Sequence, residues 1–222
     1  MPISNAIALA ESPFSLDDLP SVAQLADACR VLHDGGVVAH PTETVYGLGV
    51  DPFQPQALER LLALKGRDAA KGFILLIRNT TDLDRVADMP SPYAQRLMHH
   101  FWPGPLTLLL PARKGLSGYV TGGRSTVAVR YSSSRHVAML LEAWGQPLVS
   151  TSANYAGDPP LRDGGAVADR FGSRVHCIIP GCCQPGALPT TIVGFDDHGP
   201  KIVRQGALTA RMLACVLPSQ TG

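Results

Sequence analysis

The sequence lacks the features that define several large classes of protein. It contains no run approaching the roughly 18 apolar residues of a membrane span, and its first residues have neither the basic region nor the long apolar stretch of a signal peptide. Its 5 cysteines include no C-x-x-C pair, which argues against both a disulfide framework and a zinc ribbon. We therefore expect a cytoplasmic protein with no membrane segment and no protein-bound metal.

An excess of charge of one sign is missing as well. The chain carries 19 Lys and Arg residues against 18 Asp and Glu residues, a formal net charge of +1. A protein that binds a nucleic-acid backbone across its surface normally carries a larger basic excess. The composition therefore disfavours general nucleic-acid binding, although it leaves room for a local basic groove.

The common nucleotide-binding and hydrolytic signatures do not occur. Neither Gly-x-x-x-x-Gly-Lys-Ser/Thr nor Gly-x-Gly-x-x-Gly is present, so side chains must neutralise any bound polyphosphate. His40, His99 and His100 do not have the spacing of zinc ligands, and no nucleophile, histidine and acid form a recognisable triad. Such a sequence favours a reaction that depends on positioning and charge neutralisation, as adenylyl transfer does.

The chain does contain enough apolar sequence for one α/β domain. Hydrophobic residues make up 45% of its 222 residues, and helical and strand patterns alternate along most of the length. We expect an N-terminal extension over 1–20 and a single domain over 21–217, with a polar stretch over 42–49 directly after the first strand. The predicted helices cover 21–33, 55–65, 81–87, 93–101, 135–144, 167–171 and 209–216. The predicted strands cover 37–40, 73–77, 106–110, 126–130, 148–150, 175–179, 191–195 and 201–203.

Two polar segments are candidates for binding phosphate. Lys65, Arg67 and Lys71 follow a helix end, where they can converge on a polyphosphate or simply complement the helix dipole. The segment from Ser150 to Asn154 follows an apolar strand. Its hydroxyls and amide can bind phosphate or carboxylate oxygens, or they can form an ordinary turn. The residue pattern alone leaves both alternatives open.

Other polar residues are candidates for binding a carboxylate or a hydroxyl group. Arg130 ends an alternating strand, so it either pairs with a carboxylate at the edge of the core or binds the carboxylate of a ligand. The hydroxyls of Thr42 and Thr190 and the cation Arg204 lie in separate polar segments and add candidate ligand contacts.

Together these segments make the chain resemble the threonylcarbamoyl-adenylate synthase family, the YrdC-like proteins. The resemblance extends in family order from about residue 20 to about residue 207, nearly the whole chain. It implies an α/β fold with a twisted, mostly open mixed sheet flanked by helices and with a deep concave active site. The matching stretches are His40 to Leu48, Lys65-Gly-Arg67, Lys71-Gly72, Trp102 to Thr107, Val127 to Arg130, Ser150 to Asn154 with Gly157, Pro189 to Val193 and Val203 to Gly206.

The resemblance also implies a reaction. L-threonine, bicarbonate and ATP are joined into threonylcarbamoyl-AMP with release of pyrophosphate, and Mg²⁺ accompanies the triphosphate. The product is passed to downstream transfer proteins that modify adenosine 37 of tRNA. By resemblance, ATP is bound by Lys65, Arg67, Lys71, Thr126, Ser152, Asn154 and Arg204, with Lys65 and Arg67 stabilising the charge that develops. Threonine is bound by Thr42, Arg130, Ser150 and Thr190, with Arg130 on its carboxylate.

The chain departs from many relatives at two positions of the phosphate loop, since Asp68 and Gly72 stand where proline is frequent. Two other functions are alternatives. A double-stranded RNA- or tRNA-binding module without turnover would use the same Lys and Arg residues, but near-neutral charge and the lack of interleaved aromatic residues argue against it. A carbamoyl-transfer domain of the hydrogenase-maturation type shares the fold but normally accompanies zinc-finger and acylphosphatase regions.

Overall fold

The computed structural model describes residues 19 to 217, so nearly all of the expected N-terminal extension, 1–20, lies outside the described residues. The helices are α1 (Val22–His33), α2 (Pro55–Lys65), α3 (Pro92–Phe101), α4 (Gly118–Thr121), α5 (Arg135–Trp144), α6 (Gly164–Phe171) and α7 (Ala210–Ala214). Short 3₁₀ helices cover Ala69–Lys71, Thr80–Arg85 and Gly172–Arg174. The strands are β1 (Val38–His40), β2 (Gly47–Val50), β3 (Ile74–Leu76), β4 (Leu106–Pro111), β5 (Thr126–Arg130), β6 (Leu148–Ser152), β7 (Cys177–Ile178), β8 (Thr191–Asp196) and β9 (Gly199–Arg204).

The described strands form one mixed sheet in the order β7-β1-β2-β6-β3-β5-β4-β8-β9. The pairs β1–β7, β3–β5 and β4–β8 are parallel, and the other neighbours are antiparallel. A twisted, mostly open sheet flanked by helices was predicted, and the structure confirms this architecture. No helix within residues 19 to 217 is long and apolar enough to cross a membrane.

Helices cover the two faces of the sheet unequally. Leu61 of α2 packs into a large core with Leu75 on one face. Leu140 of α5 packs into a smaller cluster with Leu76, which lies on the opposite face because side chains alternate along a strand. Helices α1 and α5 supply this smaller cluster and cover only one part of the second face. The uncovered part is the position of the candidate site.

Local sequence explains where the main helices begin and end. Helix α1 begins at a capping box in which Ser21 and Gln24 satisfy each other's backbone N–H groups. Helix α2 has proline at its first turn and ends at Gly66, whose φ of 56° is in the left-handed region that glycine adopts without strain. The turn at Gly66 leads the chain out of the helix directly into the segment that carries Arg67.

Strand β2 lies at the end of the polar stretch over 42–49, where the sequence did not predict a strand. Its glycines give little strand signal, because glycine has no side chain to pack on a sheet. Tertiary structure nevertheless requires Gly47: a Cβ atom there would lie 2.7 Å from both His40 Cε1 and Ser150 Oγ. The strand ladder pairs Gly47 with His40 on one side and with Ser152 on the other.

Other elements also differ from the prediction. The strand predicted over 148–150 continues to Ser152 in β6, so Thr151 and Ser152 lie in a strand rather than in a loop. The helix predicted over 81–87 is a 3₁₀ helix, Thr80–Arg85, capped by the side chain of Asn79. The short helix α4 was not predicted, because its four residues are too few to show a periodic pattern.

Candidate active site

A cavity of about 660 Å³ lies over the uncovered part of the second face. Its floor contains Ser150, Ile74, Ala128 and Leu109, which are neighbours in register across β6, β3, β5 and β4. The alternate residues of these strands point into the large core on the opposite face. The sheet thus provides a rigid floor, and the loops around it provide most of the polar groups.

The cavity is strongly cationic. No acidic side chain lines it within the described part of the chain, although the whole chain has a formal charge of only +1. The fold therefore concentrates positive charge at one place, which attracts a polyanion. The cationic side chains that line the cavity are Arg67, Lys71, Arg124, Arg130, Arg162 and Arg204.

Arg67 lies at the end of the cavity that follows α2, together with Lys71. Its Nη1 donates to Thr151 Oγ1 at 3.3 Å, and its guanidinium lies 5.5 Å from the centre of the Phe73 ring. Burial and the neighbouring Arg124 lower the pKa of Arg67. Its Nε is buried and has no hydrogen-bond partner among residues 19 to 217. A guanidinium with an unused buried N–H is prepared to bind an anion.

Asp68 does not place a negative charge in the cavity lining. Its Oδ1 accepts a hydrogen bond of 2.9 Å from Ala70 N and caps the 3₁₀ helix Ala69–Lys71. This cap orders the turn between Arg67 and Lys71. The unusual residue at position 68 is therefore compatible with an anion site.

Lys65 has a different environment from Arg67. Its Nζ donates to Ser152 O at 2.5 Å, to Asn154 O at 2.6 Å and to Asn154 Oδ1 at 2.9 Å. Ser152 Oγ donates to the same Oδ1 at 2.6 Å and lines the cavity, whereas Lys65 and Asn154 do not line it. Burial and Arg67 lower the pKa of Lys65 to about 8. Lys65 holds the segment that presents Ser152, and its direct contact with ATP stays a prediction.

Arg130 pairs with a carboxylate, which is the first of the two alternatives left open by the sequence, and its binding of a ligand carboxylate stays a prediction. It lines the cavity, and its Nη2 lies 2.6 Å from Glu43 Oε1 in an ion pair, although its N–H bonds do not point directly at that oxygen. Its Nε donates to Gly104 O at 3.2 Å. These contacts engage Nε and Nη2, so Nη1 is the part of the guanidinium left for a ligand.

Glu43 is fixed from the other side by two serines. Ser132 Oγ donates to Oε2 at 2.7 Å, and the N–H and hydroxyl of Ser133 each donate to Oε1 at 2.9 Å. Burial raises the pKa of Glu43, but Arg130 and these hydrogen bonds outweigh it, so the net pKa is lowered. Glu43 is therefore an anion that orients Arg130. The sequence contained Glu43 in a matching motif but gave no sign of this role.

The remaining predicted threonine-binding residues also reach the cavity. Thr42 and Ser150 line it, and Thr42 Oγ1 accepts from the N–H groups of Thr44 and Val45, which fixes the turn. Thr190 lines it at the opposite wall. Arg204 Nη2 donates to both the carbonyl and the hydroxyl of Thr190 at 2.9 Å, so this cation and this hydroxyl form one unit.

Two cavity cations were not among the predicted site residues. Arg124 donates from Nη1 to Ala70 O at 2.7 Å and from Nη2 to Lys71 O at 3.0 Å. Arg162 donates from Nη1 to Thr44 O at 3.1 Å and to Gln184 O at 2.7 Å. Their partners are backbone carbonyls far away in the sequence, which no local motif reveals. Thr126, which was predicted, does line the cavity.

The site offers no set of ligands for a resident divalent cation. Mg²⁺ prefers carboxylate and other hard oxygen ligands. No carboxylate lines the cavity, and no group of three or more His, Cys, Asp or Glu residues within residues 19 to 217 is arranged to hold a metal. The protein's own side chains therefore do not fit a bound Mg²⁺ ion.

Comparison with known proteins identifies the family. The sequence model of the Sua5, YciO and YrdC proteins, described as telomere recombination, matches residues 30–206. The chain belongs to the Sua5/YciO/YrdC family. Among its relatives, the threonylcarbamoyl-AMP synthase of Alkalilimnicola ehrlichii is 46% identical over 165 residues, which are 72% of this chain and 85% of that protein. The family membership predicted from the ordered motifs is confirmed.

Solved structures of the Sua5/YciO/YrdC family have the same fold. The structure of P. abyssi Sua5 in complex with L-threonine has a TM-score of 0.82 and 33% identity over 87% of this chain. This chain spans only 57% of the length of that Sua5 protein. The structure of E. coli YciO has a TM-score of 0.79 and 29% identity, and the match covers 88% of this chain and 95% of YciO.

Proposed function

We propose that this protein is a threonylcarbamoyl-AMP synthase, a nucleotidyltransferase that uses L-threonine, bicarbonate and ATP and releases pyrophosphate. The observation that carries the proposal is the cationic cavity on the open face of the sheet, in a chain 46% identical to a threonylcarbamoyl-AMP synthase. The structure of a related Sua5 protein with L-threonine supports the choice of amino acid.

ATP occupies the part of the cavity near Arg67 and Lys71 in this proposal. These cations bind the phosphates, and the hydroxyls of Thr126 and Ser152 accept or donate hydrogen bonds at the same end. Arg204 binds phosphate from the opposite wall. Lys65 and Asn154 support Ser152 from behind, through the contacts that join the three residues. This support keeps the Ser152 hydroxyl in a fixed place before ATP arrives.

Threonine occupies the part of the cavity near Arg130 in this proposal. Arg130 binds the carboxylate through the N–H groups that Glu43 and Gly104 leave unused. The hydroxyls of Thr42, Ser150 and Thr190 lie in the same lining and bind the remaining polar groups of the amino acid. Glu43 keeps Arg130 in one orientation, so little side-chain entropy is lost on binding.

The two ends of the cavity make an in-line reaction feasible without a protein nucleophile. The threonine amine attacks the carbon of bicarbonate and water leaves, which produces a carbamate. A carbamate oxygen then attacks the α-phosphorus of ATP, and pyrophosphate leaves as the P–O bond breaks. Arg67 and its cationic neighbours stabilise the negative charge that accumulates on pyrophosphate. Because the cavity lacks carboxylates, Mg²⁺ would be bound by the phosphates of ATP and not by a protein site.

The product and its destination follow from the same proposal. Threonylcarbamoyl-AMP would be passed to tRNA threonylcarbamoyl-transfer proteins in the cytoplasm, which modify adenosine 37. An RNA-binding role without turnover stays an alternative, since a cationic cavity can also bind a phosphate backbone.

Measuring pyrophosphate release with each substrate omitted in turn tests the function. We expect release to require L-threonine, bicarbonate and ATP together. Release that does not depend on threonine would contradict the proposal, and salt-sensitive RNA binding without any release would favour the alternative.

The two ends of the cavity are tested by a pair of substitutions in the same assay. Arg67→Ala should raise the KM for ATP by about ten-fold or more, because a hydrogen bond to a charged group contributes about 1.5–3 kcal/mol. For the same reason, Arg130→Ala should raise mainly the KM for threonine. An equal rise of both KM values in both variants would contradict the assignment. Lys114→Ala, at an exposed cation outside the cavity, is the matched control.

A further inference from the structure

His40 lies directly behind the proposed threonine site, at the end of β1. The side chain is completely buried, and its Nε2 lies 3.3 Å from Ser150 Oγ. Its Nδ1 is buried and has no hydrogen-bond partner among the described residues. The contact that connects this buried ring to the cavity is therefore the one with Ser150, whose hydroxyl belongs to a residue of the cavity lining.

The intervening strand is built to allow this contact. Strand β2 lies between β1 and β6 in the sheet, and Gly47 is its residue beside His40. A Cβ atom at Gly47 would lie 2.7 Å from His40 Cε1 and 2.7 Å from Ser150 Oγ. The missing side chain therefore leaves the gap across which the imidazole and the hydroxyl meet.

We propose that His40 is a positioning residue that fixes the hydroxyl of Ser150 for threonine binding. A free serine hydroxyl rotates among several orientations and presents either a proton or a lone pair to the cavity. A hydrogen bond to His40 uses either the proton or a lone pair of the hydroxyl, and the hydroxyl then presents the remaining one to the ligand in a fixed direction. The inference rests on the proposed function, because it assigns Ser150 to the threonine site.

The protonation state of the imidazole suits this role. Burial is the largest influence and lowers the pKa of His40 to about 4, against smaller opposing effects of the Pro41 carbonyl and Glu43. Arg130 and His136 add to the lowering. The ring is therefore neutral near pH 7, so it can orient Ser150 without adding a charge beside the Arg130–Glu43 ion pair.

The test compares two His40 variants, the Ser150→Ala variant and a double variant at pH 7.5, with pyrophosphate release and with direct calorimetric titration of threonine. His40→Phe keeps a buried ring of similar size but removes the hydrogen bond. We expect it to raise the KM and the dissociation constant for threonine by about five-fold, with kcat and the KM for ATP unchanged. His40→Gln, whose amide reaches a similar distance, should recover part of the loss.

The double variant, compared with Ser150→Ala alone, shows whether His40 acts through Ser150. In a Ser150→Ala background, His40→Phe should cause no further loss of threonine affinity, because the hydroxyl that it positions is gone. The inference is wrong if the losses of threonine affinity in the two single variants add in the double variant. It is also wrong if His40→Phe leaves threonine affinity unchanged, or if it weakens threonine and ATP binding equally. Circular dichroism and thermal melting verify that the variants are folded.

The inference and the proposed function fail in different ways. Threonine affinity that depends on His40 in a protein without turnover would sustain the inference and contradict the function. Threonine-dependent turnover with no effect of His40→Phe would sustain the function and contradict the inference. If the wild-type protein binds no threonine at all, both are wrong.

Discussion

At the scale of single residues, Lys65 is a cation surrounded by three oxygen atoms and almost removed from water. The pKa of Lys65 falls from 10.5 to about 8 through burial and the nearby charge of Arg67. Between these two pH values the unfolded chain binds more protons than the folded protein, so the contribution of Lys65 to the free energy of unfolding rises with pH. The hydrogen bonds to Ser152 and Asn154 weaken over the same interval, because they use the ammonium.

We therefore predict that ATP binding weakens as the pH rises through about 8. The phosphates of ATP titrate near pH 6 and do not change charge in this range. At pH 9, one unit above its pKa, about a tenth of Lys65 remains charged, so the dissociation constant should rise up to about ten-fold. Calorimetric titration of ATP from pH 7 to pH 9.5 measures the effect.

The Lys65→Met variant is the control for this pH dependence. It should bind ATP weakly and show no step near pH 8, since the titrating group is absent. A wild-type dissociation constant that is constant from pH 7 to pH 9.5 would show that the charge on Lys65 does not support ATP binding.

At the scale of elements, the segment after α2 depends on a second segment around α4. Phe73 N donates to Val120 O at 2.8 Å, and the side chain of Arg124 binds the carbonyls of Ala70 and Lys71. A Cβ atom at Gly122 would lie 2.4 Å from Ala70 O, so only glycine permits this backbone contact. The position of the turn that carries Lys71 is therefore determined by a neighbour more than fifty residues away.

We predict that Arg124→Ala raises the KM for ATP by about ten-fold with little change in the KM for threonine, because the turn that carries Lys71 loses two hydrogen bonds. Arg124→Lys should not restore the affinity, since a lysine cannot bind two carbonyls in the fork geometry of a guanidinium. Pyrophosphate release at varied ATP concentration measures both variants. Full recovery of ATP affinity in Arg124→Lys would mean that Arg124 acts by charge alone. Arg113→Ala, at an exposed arginine, is the matched control.

Most elements were predictable from local patterns, and the exceptions share a physical cause. Helices α1, α2, α3 and α5 have apolar periodicity and clear caps or breaking residues, and the structure places them within a residue or two of the prediction. Strand β2 was missed because Gly47 and Gly49 carry no strand signal of their own. Its place in the sheet depends on the space that His40, Ser150 and Leu148 need.

At the scale of the whole molecule, a nearly neutral chain folds so that one cavity is cationic. Like charges brought together repel, and a bound polyanion relieves that repulsion. Any ligand that binds only the folded state also stabilises it in proportion to the logarithm of its concentration. The melting temperature should therefore report the occupant of the cavity.

We predict that ATP at one hundred times its dissociation constant stabilises the protein by about 2.7 kcal/mol, which corresponds to a rise in melting temperature of roughly 5–10 °C. Differential scanning fluorimetry measures the shift. At the same ATP concentration, Arg67→Ala should reduce the rise in melting temperature, and Lys114→Ala should leave it unchanged. A larger shift with duplex RNA than with ATP at about 150 mM salt would favour the RNA-binding alternative.

The sequence by itself determined the class of fold, the family and the set of polar segments, because these depend on periodicity and on the order of motifs along one chain. Tertiary structure alone decided which member of each segment reaches the cavity. Lys65 and Arg67 are two residues apart, yet Arg67 lines the cavity whereas Lys65 binds the segment of Ser152, 87 positions away. The pairing of Arg130 with Glu43 has the same origin, since the fold brings the segment between β1 and β2 to the end of β5, and local spacing along the chain does not reveal this contact.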